Sequence, residues 1–159
     1  MDIPKIKKGI NAYLPVVLDI VKAGAIEKQI GACSSYISIR LHKQKNGPYS
    51  IRSFKQNDVD NINKGMQLLG NKLIKVNIAY TGDRITDILS LKEALSDVFI
   101  VKLIESSLGY NKTAIVNRTT VGKTCYNRKR FTEEEFEKIT MAVRQVGMML
   151  LSIEFYLDE

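Results

Sequence analysis

The sequence predicts an all-α fold of two tandem units, residues 1–79 and 80–159, each built of short helices around a glycine-containing turn and closed by one long helix. Three observations carry that prediction: an internal duplication, apolar residues recurring at three- and four-residue steps, and cap or turn signals at equivalent places in the two copies.

The duplication is clearest in Ile26 to Arg40, IEKQIGACSSYISIR, which returns at Ile104 to Arg118 as IESSLGYNKTAIVNR, 78 residues later. Ile26 pairs with Ile104, Glu27 with Glu105, Ile30 with Leu108, Gly31 with Gly109, Ile37 with Ile115 and Arg40 with Arg118, and upstream Asp19 meets Asp97. Downstream the offset is 77, pairing Tyr49 with Tyr126, Phe54 with Phe131, Ile62 with Ile139, Gly70 with Gly147 and Leu73 with Leu150. Units of about 75 residues are marginal alone, so the halves are expected to bury apolar surface against each other.

In chain order, Ile10, Leu14, Val17, Leu18 and Val21 predict a first helix over Ile10 to Lys22, with Pro15 near its first turn or as a mild kink and Gly24 as its end. A second helix, Ala25 to Ile30, stops at Gly31, where a left-handed residue is needed. Cys33 or Ser34 is the expected cap of a third helix to about Lys43, with Ile37 and Leu41 inward and Tyr36 flanking them. Asn46-Gly47-Pro48 predicts a loop. A long helix follows from Ser53 or Asn57, with Ser53-Phe54-Lys55-Gln56 in capping-box form and a stripe of Val59, Ile62, Met66, Leu69, Leu73 and Val76.

Ala79 to Asp83 reads as the linker. The second unit repeats the scheme with helices over about Ile85–Val101, Lys102–Leu108 and Lys112–Thr120, a loop to Arg130, and a long helix from Thr132. Thr132-Glu133-Glu134-Glu135 is a clean capping box, so the acids Glu133 to Glu137 are explained by the positive helix N-terminus without an acidic active site. Its stripe is Phe136, Ile139, Val143, Val146, Leu150 and Leu151, and the run Met148-Met149-Leu150-Leu151 predicts burial on two sides. The two long helices are the expected interface between the halves, packed as a pseudo-twofold intramolecular dimer; a coiled-coil seam between separate chains, and so further self-association through these helices, is the alternative.

The formal charge of +7 points to an anionic partner or to solubility alone. Its distribution says more. Residues 1–80 hold 13 Lys+Arg against 5 Asp+Glu, a net of +8, and residues 81–159 hold 11 against 12, a net of −1. Each half nevertheless has an acid-free basic run beginning beside the repeated motif, from Lys28 to Asn57 and from Ser106 to Arg130.

A short helix, a glycine turn and a second helix with an apolar residue six beyond the glycine form the helix-turn-helix pattern, met at Ile30-Gly31 to Ile37 and at Leu108-Gly109 to Ile115. The first copy resembles the Cro/phage-repressor-like helix-turn-helix family through Ile30, Gly31, Cys33, Ser35, Ile37, Ser38 and Leu41. The second departs from the pattern, with Asn111 at the usual cap serine and Thr119 where an apolar residue belongs.

The resemblance implies sequence-specific binding of double-stranded DNA by a transcriptional regulator of phage or mobile-element type, reading two non-identical half-sites. The third helix of the first unit would offer Ser34, Ser35, Ser38, Ile39 and His42 to the major groove, with Arg40 and Lys43 for a phosphate or a guanine. That of the second would offer Lys112, Thr113, Val116, Asn117 and Thr120, with Asn117 suited to adenine and Arg118 to a phosphate. Lys45, Arg52, Lys55, Lys123, Arg128, Lys129 and Arg130 supply phosphate attraction independent of sequence. The competing reading is a protein-docking accessory factor on the same scaffold, with the basic residues as a solvated face.

Other classes are set aside residue by residue. No nucleophile–base pair or metal cluster stands out, so neither an enzyme nor a cofactor is expected. Val121-Gly122-Lys123-Thr124 ends like a phosphate-binding loop but has Asn117 where that motif needs glycine. Lys5, Lys7 and Lys8 before Tyr13 to Ile20 imitate a signal peptide, yet Asp19 and Lys22 interrupt the apolar patch, and it aligns with the first helix of the second unit. No apolar run approaches the roughly 18 residues of a membrane span. Cys33 and Cys125 are not repeat equivalents and are expected reduced, in a cytoplasmic protein without membrane partners.

Overall fold

The computed structural model describes residues 3–41, 53–95, 105–106, 108–110, 115 and 131–158. In chain order these hold β1 (Ile6–Gly9), α1 (Ile10–Leu18), α2 (Ala23–Gln29), α3 (Tyr36–Leu41), α4 (Gln56–Leu73), α5 (Arg84–Leu95), α6 (Glu133–Ser152) and β2 (Ile153–Tyr156). The fold is mostly helical, and the all-α expectation is corrected by a two-stranded parallel sheet that joins the ends of the chain, Ile6 standing opposite Ile153 and Gly9 opposite Tyr156.

The long helices behave as their periodicity demands. Val59, Ile62, Met66, Leu69 and Leu73 of α4 are buried, as are Phe136, Ile139, Val143 and Leu150 of α6. Each fully buried aliphatic side chain contributes about 2 kcal/mol, so these stripes outweigh any single cap. Among the described elements, no other two pack as extensively as α4 and α6. At their closest approach the repeat equivalents Gly70 and Gly147 face each other reciprocally: a Cβ on Gly70 would lie 2.9 Å from the Gly147 carbonyl oxygen, and one on Gly147 2.9 Å from that of Gly70. Two glycines at one crossing let the helix backbones touch. The expected double burial of the α6 end holds for Leu150 and Leu151 but not for Met148, which is 42% exposed.

Both long helices begin alike. Thr132 caps α6, its hydroxyl accepting from Glu135 N at 3.1 Å while Thr132 N donates to Glu135 Oε1 at 3.1 Å. In α4 the cap position is Lys55, not Ser53 or Asn57, and only the acidic half of the box exists: Lys55 N donates to Asp58 Oδ2 at 2.9 Å. The cap falls at Lys55 because the residue before it, Phe54, is an apolar anchor buried beside α4, as Phe131 is before Thr132. In α6 that anchor packs on Phe136 with ring centroids 5.6 Å apart, the spacing of a hydrophobic staple.

The short helices differ from their expected bounds. Instead of reaching Lys22, α1 stops at Leu18, and Val21 is buried by the turn in which its N–H donates to the Val17 carbonyl. Apolar spacing could not separate that turn from another helical step. Gly24 does not end α1; it sits exposed within the first turn of α2. With Ile10 and Leu14 fully buried, α1 is a core element.

Segments after each long helix cap the first helix of the other unit. Beyond β2, Asp158 accepts from Asn11 N at 2.7 Å and Ala12 N at 3.2 Å at the start of α1, and Gly9 is required there because a Cβ would sit 2.3 Å from the Asp158 carboxylate. Between α4 and α5 the linker is ordered by Asp87, which accepts from Thr81 N and Thr81 Oγ1 at 2.8 Å and from Gly82 N at 3.0 Å. On the α4 side, β2 is closed off by Asn63, whose amide both accepts from Phe155 N and donates to Phe155 O.

Candidate nucleic-acid interface

The glycine turn is built from a helix end and one buried carboxylate. Gly31 takes φ +66°, which favours glycine, and Ala32 N donates to the Glu27 carbonyl at 3.0 Å, closing α2. Neither Cys33 nor Ser34 caps α3. Its first turn is served instead by Glu27, 2% exposed, whose Oε2 accepts from Ile37 N at 2.9 Å. A carboxylate there is favoured by the positive end of the helix, and an acceptor reaching across from α2 fixes the angle between the two helices.

The second copy has the same construction. Gly109 takes φ +74°, Tyr110 N donates to the Glu105 carbonyl at 2.8 Å, and Ile115 N donates to Glu105 Oε1 at 3.0 Å. Glu105 is 1% exposed, and Ile37 and Ile115 are both buried. Sequence reasoning paired these glutamates without giving them a task; an acid four residues before each glycine was the available signal.

Ser34 and Ser35 lie in the turn before α3 and not on it, the first exposed and the second half-buried; on α3, Ser38 is exposed and Ile39 half-buried. Ser38 Oγ donates to the Ser35 carbonyl at 3.2 Å. Cys33 is exposed and free, its thiol held below the usual range by hydrogen bonds with Ser35. Arg40 does not extend into solvent. Its guanidinium lies 4.0 Å over the Tyr36 ring, Nη1 donates to the Tyr36 carbonyl at 3.0 Å, and Nε sits 3.2 Å from Asp58 Oδ1, an ion pair without hydrogen-bond alignment. Asp58 Oδ1 also accepts from the Tyr36 hydroxyl.

These contacts shift both acids in the cluster. Burial pushes the Asp58 carboxyl up, but the Tyr36 hydroxyl, the Lys55 N–H and Arg40 outweigh it and hold the group below its ordinary value. Burial, reinforced by the bond to Asp58, pushes the Tyr36 phenol up, which keeps it a donor. Tyr36 and Asp58 were not among the residues singled out for the site; Tyr36 and Arg40 at i, i+4 on α3 were the legible half of the cluster.

Lys55 is exposed at the start of α4. His42, Lys43, Lys45, Arg52, Lys112, Thr113, Val116, Asn117, Arg118, Thr120, Lys123, Arg128, Lys129 and Arg130 lie outside the described residues, as do Cys125, the loop at Asn46-Gly47-Pro48 and the Val121 to Thr124 stretch. Among the described residues no helix is long and apolar enough to cross a membrane, and no group of His, Cys, Asp and Glu could hold a metal. No protein-family model, curated protein or solved structure matches this chain.

Proposed function

We propose that the chain is a non-enzymatic, sequence-specific binder of double-stranded DNA, in which two helix-turn-helix units related by a pseudo-twofold axis imitate a repressor dimer. The observation that carries this reading is the repeated turn: a left-handed glycine and a buried glutamate bonded to the backbone of the following helix occur in both copies. Reciprocal contact of Gly70 with Gly147 supports the axis, because equivalent residues meet only where a twofold passes. The acid-free basic runs that begin at both turns supply the phosphate attraction. The third helices would then enter successive major grooves roughly 34–36 Å apart. Because the two readers differ in sequence, the site has two dissimilar halves; the role proposed with it is that of a cytoplasmic transcriptional regulator of phage or mobile-element type.

Fluorescence anisotropy with a random-sequence duplex at two salt concentrations tests the reading. Tight binding at low salt that weakens steeply at high salt is expected; no binding at low salt overturns it. Selection of bound duplexes from a random pool then reports site length and asymmetry.

A protein-docking role is favoured by one observation: Ile85 and Leu89, one turn apart on α5, are 56% and 58% exposed. Charge reversal of Lys43, Arg128, Lys129 and Arg130 separates the two, since only a DNA binder loses affinity for duplex. Arg40 is unsuitable for that comparison because reversing it would also break its pair with Asp58.

A further inference from the structure

We infer that Tyr36 and Asp58 are positioning residues that hold Arg40 as a fixed contact for one DNA phosphate, so that the first unit carries the anchoring backbone contact; the inference rests on the DNA-binding reading above. Three restraints act on one planar group: the Tyr36 ring beneath it, the Tyr36 carbonyl on Nη1 and the Asp58 carboxylate beside Nε. The rotamer freedom that an arginine normally loses on binding is therefore already lost.

The geometry also chooses between the two contacts open to an arginine. A guanine is read bidentately at O6 and N7, which needs two free donors side by side. Here Nη1 donates within the protein and Nε is buried beside Asp58 without a hydrogen bond, and among the described residues Nη2 is the amino group that no contact occupies. One amino group suffices for one phosphate oxygen.

The second unit differs in composition at two of these three positions. Its equivalents of Tyr36 and Asp58 are Ala114 and Glu135, and alanine offers no ring on which Arg118 could lie.

The test uses the full chain and a random-sequence duplex, with binding followed by anisotropy across a salt series and folding checked by circular dichroism. Arg40→Gln should lower the magnitude of the slope of log Kobs against log[salt] by about 1, whereas Arg40→Lys restores the slope but not the affinity. Tyr36→Leu and Asp58→Asn should each weaken binding several-fold, and Tyr36→Phe, which keeps the ring, should weaken it less. A purely neutralising Asp58 gives the opposite sign, because Asp58→Asn would then strengthen binding, and that result overturns the inference. A slope unchanged in Arg40→Gln while the wild type binds overturns it alone; absence of wild-type binding at low salt overturns the DNA-binding reading with it.

Discussion

The turns at Gly31 and Gly109 share their glycine conformation and their buried glutamate, while the residues around the helix that follows differ: in the first copy Arg40 is folded back onto Tyr36 and Asp58, and in the second the equivalent positions of that tyrosine and aspartate are Ala114 and Glu135. The shared part is what any short helix pair needs to hold its angle: a left-handed residue to turn the chain and an acceptor for an otherwise orphaned N–H. The unshared part is not needed for the turn, since the second copy has alanine where the first has Tyr36. What was kept in both copies includes the parts that hold the turn, and what differs lies among the side chains around the helix that follows it.

This comparison can be broken at several points. The largest effect is expected where the copies meet. Gly70→Val and Gly147→Val each place side-chain atoms against a partner backbone 2.9 Å away and should destabilise the fold by about 3 kcal/mol, measured by urea denaturation; a clear inequality would show that the crossing is not reciprocal. Next, Glu27→Ala and Glu105→Ala should each cost about 2 kcal/mol by leaving a buried N–H without its acceptor, and Glu27→Gln should cost less because an acceptor remains. A loss confined to one copy would mean that the glutamates do different work.

The helix caps at the chain ends sharpen the contrast further. Asp158→Ala removes the acceptor for Asn11 N and Ala12 N and should cost about 1 kcal/mol in thermal unfolding. The Asp58 cluster adds a pH dependence of known sign. Its folded carboxyl sits below the ordinary value of 3.8, so the stability it contributes is complete above that value and is lost as pH falls towards the lower folded value. Asp58→Asn should therefore flatten the acid limb of the stability–pH curve. The smallest change is expected for Cys33→Ser, an exposed thiol, which should alter stability by less than about 0.5 kcal/mol.

By itself the sequence determined whatever depends on neighbours within about one turn of helix: the duplication, the stripes of both long helices, the Thr132 capping box and the glycine turns. Such signals need only residues at i+3 or i+4 to agree. Tertiary structure decided the rest. The strand Ile6–Gly9 has no alternating pattern to announce it and exists because Ile153–Tyr156, 147 residues away, supplies its hydrogen bonds. Val21 is buried by a turn that its spacing cannot distinguish from helix, and Phe54 by its place just before the α4 cap. Arg40 reads in sequence as a cation open to solvent, and Asp58 from the next helix joins Tyr36 in turning it inward. Glu27 likewise looks like a surface acid until α3 brings a backbone N–H to it. A charged side chain can satisfy itself in many directions, and the partner that wins is the one the fold places within hydrogen-bond reach.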